Sequence, residues 1–435
     1  MKTSFSSELS NLFMTEGKIV VGVDIGTSKI ATIIAKVDEE FVNVLGVSEV
    51  KAEGIRKGQI VDIDAAVISI NSSLEGAERM AGYSASHVVA SIGGNHVESQ
   101  NSRGVVAVSN PQEEISESDL ERVIDAAKAV SLPSSREIIH VLPRSYIVDG
   151  QEGIKAPLGM TGLRLEVDTH IISAYSTSIR NMEKAFSEVG VDVDAIVFSG
   201  YASSLAVLSD TEKELGVILV DIGAGTTDIS IYVEGSVAFS SVIPIGARHI
   251  TNDLAIGLRI SLESAEKIKL YLSNSSRKKA ADLEKGDELD LSALGLPEEL
   301  TKVSQKTLID GIIRPRLNEI FTFVGLELKK SGFAGQIPSG LVVTGGGAET
   351  IGVTDAAKRM LAMPVRIGKP LNIKGIIDEI QSPSFATVIG LAIYGETVEI
   401  KSALPFGFSI PQIPFSLQLN KPVSKIISFI KSFMP

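Results

Sequence analysis

The chain has 435 residues, 44% of them hydrophobic and 22% charged, so it can bury a large core and divides into roughly two to four subdomains. A net charge of −12 argues against a general nucleic-acid binder. Cysteine is absent and only five histidines are scattered along the chain, which excludes a disulfide framework and argues against thiolate and zinc sites.

In chain order, residues 1–17 lack the long apolar core of a secretory signal. Phe5, Leu9, Leu12 and Phe13 fall at helical spacing, and a short docking or disordered tail is expected there. No run of 18 apolar residues occurs, so no membrane span is expected and the protein is read as cytoplasmic. Ile19–Ala35 reads as an apolar strand ending in Asp24-Ile25-Gly26, then Thr27, Ser28 and Lys29, then a second apolar strand. A third strand is expected over Phe41–Val50, a turn at Gly54–Val61 and an amphipathic helix over Asp64–Met80. Ser86–Ser173 opens with a strand (His87–Ile92) and Gly93-Gly94. A helix follows from Ser116 to Val130, with Ser116 as N-cap and Asp119 in the capping-box place. Helix Ser176–Gly190, strand Asp194–Phe198 and the segment Gly200–Ser209 come next.

Leu215–Ser236 repeats the first hairpin. An apolar run ends at Asp221; Gly223, Ala224, Gly225, Thr226 and Thr227 form the turn, and Asp228–Val233 is the returning strand. One glycine-rich turn is equally an ordinary tight hairpin. Here Gly223 and Gly225 let backbone N–H groups approach phosphate oxygens, the threonines add hydroxyls, and Asp221 offers a hard carboxylate for Mg²⁺ through water. The matched copy at Asp24 implies two similar lobes facing one nucleotide. A strand running into Gly345, Gly346 and Gly347 (Leu341–Glu349) supplies a third glycine loop. Between these elements, helices are expected over Gly246–Leu258, Leu262–Leu272 and Asp310–Leu328, the last broken or begun near Pro315. Asn274–Leu294 reads as a polar loop or short strand pair.

These three motifs, in this order, resemble the phosphate and adenosine loops of the actin/Hsp70/sugar-kinase superfamily. The resemblance implies an α/β fold with two ribonuclease-H-like lobes around a cleft for ATP and Mg²⁺. Within it, Ser84–His96, His140–Tyr146 and Gln151–Gly162 are similar to the small α+β subdomain inserted in FtsA, the bacterial actin-like cell-division family. The implied organisation places the first lobe at 18–85 and 174–209, the insert at 86–173 and the second lobe at 210–385. A return helix follows at 386–401, containing Phe385–Tyr394 in part, where Gly390 permits close helix packing. Asp24 and Asp221 would organise Mg²⁺. Gly26, Thr27, Ser28, Lys29, Gly223, Gly225, Thr226 and Thr227 would hold phosphates. Gly345, Gly346 and Gly347, with Glu266 and Lys269, would meet the nucleoside, although Glu266 and Lys269 read equally as an exposed ion pair. Where actin has a glutamine that orients the attacking water, the aligned residue is Leu205, flanked by Ser203 and Ser204. No confident catalytic residue results: slow ATP hydrolysis at most is expected, and a sugar kinase is argued against.

The tail has its own signature. Residues 402–420 carry prolines at 405, 411 and 414 and read as an extended linker. In 421–435, Val423, Ile426, Ile427, Phe429, Ile430, Phe433 and Met434 fill one helical arc, with Lys425 and Lys431 on the other. That pattern is an interfacial helix, too short to span a bilayer, although docking on the protein's own core is the competing reading. The resemblance implies a peripheral protein on the cytoplasmic face of the membrane at the division septum. It would polymerise, bind the C-terminal peptide of FtsZ and recruit later division (divisome) proteins, with no nucleic-acid partner. Arg316 and Asn318 are candidates for gripping that acidic peptide, against the alternative of a solvated helix face. The competing readings are the pilus-assembly relative PilM and a metabolic kinase of the same superfamily.

Overall fold

A computed structural model describes residues 17–38, 40–109, 114–278, 287–375 and 380–398. The tail before Gly17, the expected linker 402–420 and the expected interfacial helix 421–435, with all of its candidate membrane residues, lie outside the described residues.

The first lobe is built on Lys18–Ile25 (β1), Lys29–Val37 (β2), Val42–Lys51 (β3), helix Ile63–Ala81 (α1) and His87–Ile92 (β4). β1–β2–β3 is an antiparallel meander, and β4 runs parallel to β1. Asp62 starts α1 by accepting the Ala65 N–H at 3.1 Å, and Gly82 ends it in the left-handed region at φ 63°. The helix buries Ala66, Ile70, Leu74 and Ala77 on the sheet, as its apolar spacing predicts. β4 was expected in the insert; its parallel pairing places it in this sheet instead.

The insert follows as Glu98–Ala107 (β5), Glu117–Lys128 (α2), Arg136–Val148 (β6), Gln151–Ile154 (β7) and Arg164–Tyr175 (β8). Its four strands run in the order β5-β8-β6-β7, all neighbours antiparallel. The expected capping box forms between Ser116 and Asp119, and Val123 and Ala127 of α2 are buried against the sheet. A Cβ on Gly104 would overlap the Val123 carbonyl, so glycine sets how closely helix and strand approach.

Ser176–Val189 (α3) and Asp192–Phe198 (β9) return the chain to the first lobe, β9 parallel to β4. Ser199–Val207 (α4) and Asp210–Leu215 (α5) lead to Val217–Ile222 (β10), Thr227–Val233 (β11) and Ser236–Ile243 (β12). Ala247–Leu258 (α6), Leu262–Lys278 (α7), the ribbon Glu288–Asp290 (β13) with Lys302–Ser304 (β14), and Arg314–Ser331 (α8) follow. A wider helical stretch, Thr307–Ile313, precedes α8, and Pro315 sits in its first turn, where no N–H is required. Leu341–Thr344 (β15), Val353–Leu361 (α9), Val365–Ile367 (β16), Ile373–Gly375 (β17) and Ala386–Thr397 (α10) complete the described chain.

The second sheet repeats the first. Its order is β12-β11-β10-β15-β16, with the same antiparallel meander and two parallel neighbours as β3-β2-β1-β4-β9. Every residue of β10 and β11 is buried, the mark of strands covered on both faces. β17, from the C-terminal half, adds to the outer edge of the first sheet beside β3. Helices α4 and α10 cross where the lobes meet. A Cβ on Gly390 would overlap the backbone of Ala202, so only glycine permits this crossing. The insert is bonded to both lobes. His140 Nε2 accepts the Phe198 N–H at 3.0 Å, and Ser99 and Asn101 donate to the carbonyls of Ser240 and Ala238 at 2.6 and 3.1 Å. His170 Nε2 lies 3.0 Å from Ser240 Oγ. Burial holds His140 at about 4 and His170 at about 3, so both are neutral at ordinary pH.

Candidate functional site

The two Asp-Ile-Gly hairpins are alike in detail. The Gly26 N–H donates to the Lys29 carbonyl at 3.1 Å and the Gly223 N–H to that of Thr226 at 2.9 Å, so each turn is closed by its glycine. The tips touch: a Cβ on Gly225 would stand 2.7 Å from Thr27 Oγ1. Behind them, Asp24 is the penultimate residue of β1 and Asp221 that of β10. Asp24 Oδ1 accepts from Ser91 Oγ of β4 at 2.7 Å. Asp221 Oδ2 accepts from Ser203 of α4 and from Thr387 of α10 at 3.2 Å.

A third carboxylate joins them. Asp228 lies directly opposite Asp221 in the β10–β11 register, is 6% exposed, and its Oδ1 has no hydrogen-bond partner. Burial raises all three carboxyls: Asp24 upward, Asp221 to about 6, and Asp228 well above the usual range. Mutual repulsion adds to the effect at Asp221 and Asp228. Unpaired buried charge is costly without a ligand, so this cluster is built around something cationic or strongly hydrogen-bonding. Asp228 was missed in the sequence. The available signal was a carboxylate at the second position of a strand that carries no other charge.

Of the residues expected at phosphates, Gly26, Thr27, Gly223, Gly225 and Thr226 are brought together at the two tips. Ser28 is exposed beside them. The Thr227 hydroxyl instead donates to the Ile245 carbonyl at 2.8 Å and is wholly buried. Lys29 lies near enough to Asp24 and Asp221 to draw both carboxyls down. Its Nζ is engaged with Glu49 at 2.6 Å and stands 4.0 Å over the Phe385 ring.

Gly345, at φ 80°, has no room for a Cβ against Asp221 Oδ1, and Gly347 has none against Ile222. This loop opens onto a cavity of about 610 Å³ lined by Ser273, Thr350, Ile351, Lys369 and Ser382, among others. Lys269 and Glu266 are not in that lining. They form the i,i+3 ion pair of the alternative reading at 2.8 Å and both bond to Thr251, with Lys269 buried and Glu266 partly exposed. Ser273, one turn further along α7, is the residue that reaches the cavity. Arg316 is held bidentately by Asp253 at 2.6 and 2.9 Å and also by Glu319, and Asn318 Oδ1 accepts from Arg359 at 3.2 Å.

The expected role of Leu205 needs correction. It lies two residues beyond Ser203, about 200° round α4 from the side that meets Asp221. The cleft side of α4 is formed by Ser199, Gly200 and Ser203. The space above Gly93 is bounded by Ser199 Oγ and Asp228 Oδ2, 3.1 and 3.6 Å from where its Cβ would stand, and a Cβ on Gly200 would stand 3.1 Å from Asp228 Cβ.

Two lobes of repeated topology, joined by crossing helices over paired Asp-Ile-Gly hairpins, define the actin-like class. Solved structures agree on the fold. A PilM–PilN type IV pilus biogenesis complex matches with TM-score 0.62 over 87% of this chain and 98% of that one, at 16% identity. MreB5 of Spiroplasma citri bound to ADP matches with TM-score 0.50 over 87% and 96%, at 14% identity. Sequence comparison is more specific. The family model "Cell division protein FtsA" matches residues 218–390, and "SHS2 domain inserted in FTSA" matches 94–173. FtsA of Pseudomonas aeruginosa is 39% identical over 87% of this chain and 89% of its own length, and FtsA of Escherichia coli 34% over 88% and 91%. The chain belongs to the FtsA family of cell-division proteins, and its fold is actin-like.

Proposed function

We propose that this chain binds ATP with Mg²⁺ between its lobes and acts as the adaptor that holds FtsZ filaments to the inner face of the membrane. The observation that carries the nucleotide reading is the convergence of Asp24, Asp221 and Asp228 with three glycine loops that have no room for side chains. The residues fit the group. The backbone N–H groups around Gly26, Gly223 and Gly225 would receive phosphate oxygens, and the cavity beside Gly345–Gly347 would receive the nucleoside. Among the described residues no three His, Asp or Glu side chains can hold a metal directly. Asp24 and Asp221 would act on water around the ion, whose role is to offset phosphate charge. Ser199, at the start of α4, is too short to orient a water as a carboxamide or carboxylate would, which supports slow hydrolysis at most. A fluorescent ATP titration tests this reading: micromolar binding unchanged by Asp221→Ala would overturn it.

Membrane attachment through Val423, Ile426, Ile427, Phe429, Ile430, Phe433, Met434, Lys425 and Lys431 is supported by the amphipathic sequence pattern. Contact with the FtsZ C-terminal peptide at Arg316 and Asn318 would exchange Asp253 and Glu319 for peptide carboxylates at the Arg316 guanidinium, with the Asn318 amide N–H donating to the peptide. Self-association and recruitment of later division proteins at the septum follow from the same family reading. Co-sedimentation with ATP, liposomes and FtsZ tests these together. No specific observation favours a pilus-assembly role, since the PilM likeness is one of fold.

A further inference from the structure

A short hairpin outside the paired phosphate loops reaches the same cleft. Ile55–Arg56 pairs with Gln59–Ile60, and Lys57 (φ 49°) and Gly58 (φ 74°) form a two-residue turn of the mirror-image kind. The turn is fixed at both sides. Gly58 N–H donates to Thr27 Oγ1 at 3.1 Å, and a Cβ on Gly58 would stand 2.8 Å from the Gly93 carbonyl and the Gly94 nitrogen. Gln59 Nε2 lies 2.9 Å from His96 Nδ1 and 3.3 Å from Asn95 Oδ1. Ile55 anchors the hairpin in the core. What it presents outward is Arg56 and Lys57, both exposed and, among the described residues, without an ionic partner.

Charge balance gives these cations a purpose. Three aspartates face the cleft, and the lysine beside them, Lys29, is engaged with Glu49. A nucleoside triphosphate brings about four negative charges and one divalent ion offsets about two of them, so positive charge is still wanted at the phosphate end. The hairpin touches Thr27 of the first phosphate loop, away from the nucleoside cavity at Ser273 and Lys369. Building on the ATP reading above, we propose that Arg56 and Lys57 engage the terminal phosphate, making this hairpin the element that distinguishes triphosphate from diphosphate. The fork of a guanidinium and the point charge of an ammonium suit the three oxygens that only the triphosphate offers there.

The test is equilibrium binding of ATP and of ADP, each with Mg²⁺, to the full chain and to the Arg56→Ala/Lys57→Ala double variant. ATP affinity should fall roughly tenfold or more, as loss of charge-assisted phosphate contacts predicts, while ADP affinity stays within about twofold. The swap Arg56→Lys/Lys57→Arg should retain most of the preference. Equal loss for both nucleotides, or loss for neither, would overturn the proposal. Both side chains are exposed, so the nucleotide-free melting temperature should stay unchanged; if it falls, the charge swap and the single Lys57→Gln variant carry the same comparison. Wild-type protein that binds neither nucleotide would instead overturn the ATP reading on which this one rests.

Discussion

The hydroxyls of Ser203 and Thr387 lie 2.9 Å apart, each within hydrogen-bonding distance of the same oxygen of Asp221. Ser203 belongs to α4 and Thr387 to α10, the two helices that cross between the lobes. Asp221 belongs to the second-lobe sheet. The carboxylate proposed above to organise Mg²⁺ is thus tied to both connecting helices.

Asp221 should trade stability against binding. Folding lifts its carboxyl from 3.8 to about 6, chiefly through burial, so the folded chain holds that proton more tightly than the unfolded chain. Its contribution is therefore most favourable below pH 4, declines as pH rises towards 6 and is fully lost by neutrality. Asp221→Asn should make the nucleotide-free protein more stable at pH 7.5, by on the order of 2–3 kcal/mol, with the difference closing by pH 4. The same change should reduce the stabilisation that Mg²⁺-ATP confers. Thermal unfolding across this pH range, with and without nucleotide, checks both; a variant less stable than wild type at pH 7.5 would contradict the argument.

Hydrolysis should be slow, with turnover below about 1 s⁻¹, the lower end of ordinary enzyme rates. Leu205→Gln should leave the rate unchanged, because that side chain is on the far side of α4. Ser199→Gln, which places a carboxamide near Asp228, should raise it. A steady-state phosphate-release assay decides, and fast turnover in the wild type would show that another residue orients water.

Gly390→Ala should destabilise the chain by about 3 kcal/mol or more, because its Cβ would meet the Ala202 backbone rather than a side chain able to move. Chemical denaturation measures this. A loss under about 1 kcal/mol would mean that α4 and α10 separate easily, and the hinge would then be loose rather than tightly packed.

Ile427→Glu, or truncation after Asn420, should release the protein from anionic liposomes while ATP affinity persists. A single short interfacial helix binds weakly, and several on one assembly bind firmly because each later contact is intramolecular. Sedimentation with liposomes at concentrations above and below assembly should show that dependence. Equal lipid binding by intact and tail-deleted protein would remove the membrane role.

Much of this architecture was legible in the chain. The duplicated strand–Asp-Ile-Gly–strand units announced two lobes because a buried apolar strand ending in a carboxylate and glycine is a costly pattern to carry twice without a ligand. The capping box at Ser116 and Asp119 and the glycine at 390 were equally readable, since each depends on local geometry. Three features were not. His87–Ile92 reads like any buried strand, and only its parallel pairing with β1 assigns it to the first sheet. Lys29 and Thr227 look like free phosphate ligands until Glu49, from β3, and the Ile245 carbonyl, from the loop after β12, engage them. Ser199, Asp228 and the Arg56–Lys57 hairpin meet at one cleft although far apart in the chain. Sequence determined which segments bury and where they turn, because those depend on near neighbours. The tertiary structure decided which polar groups face one another, because in a low-dielectric interior each buried charge is governed by partners that only the fold brings near.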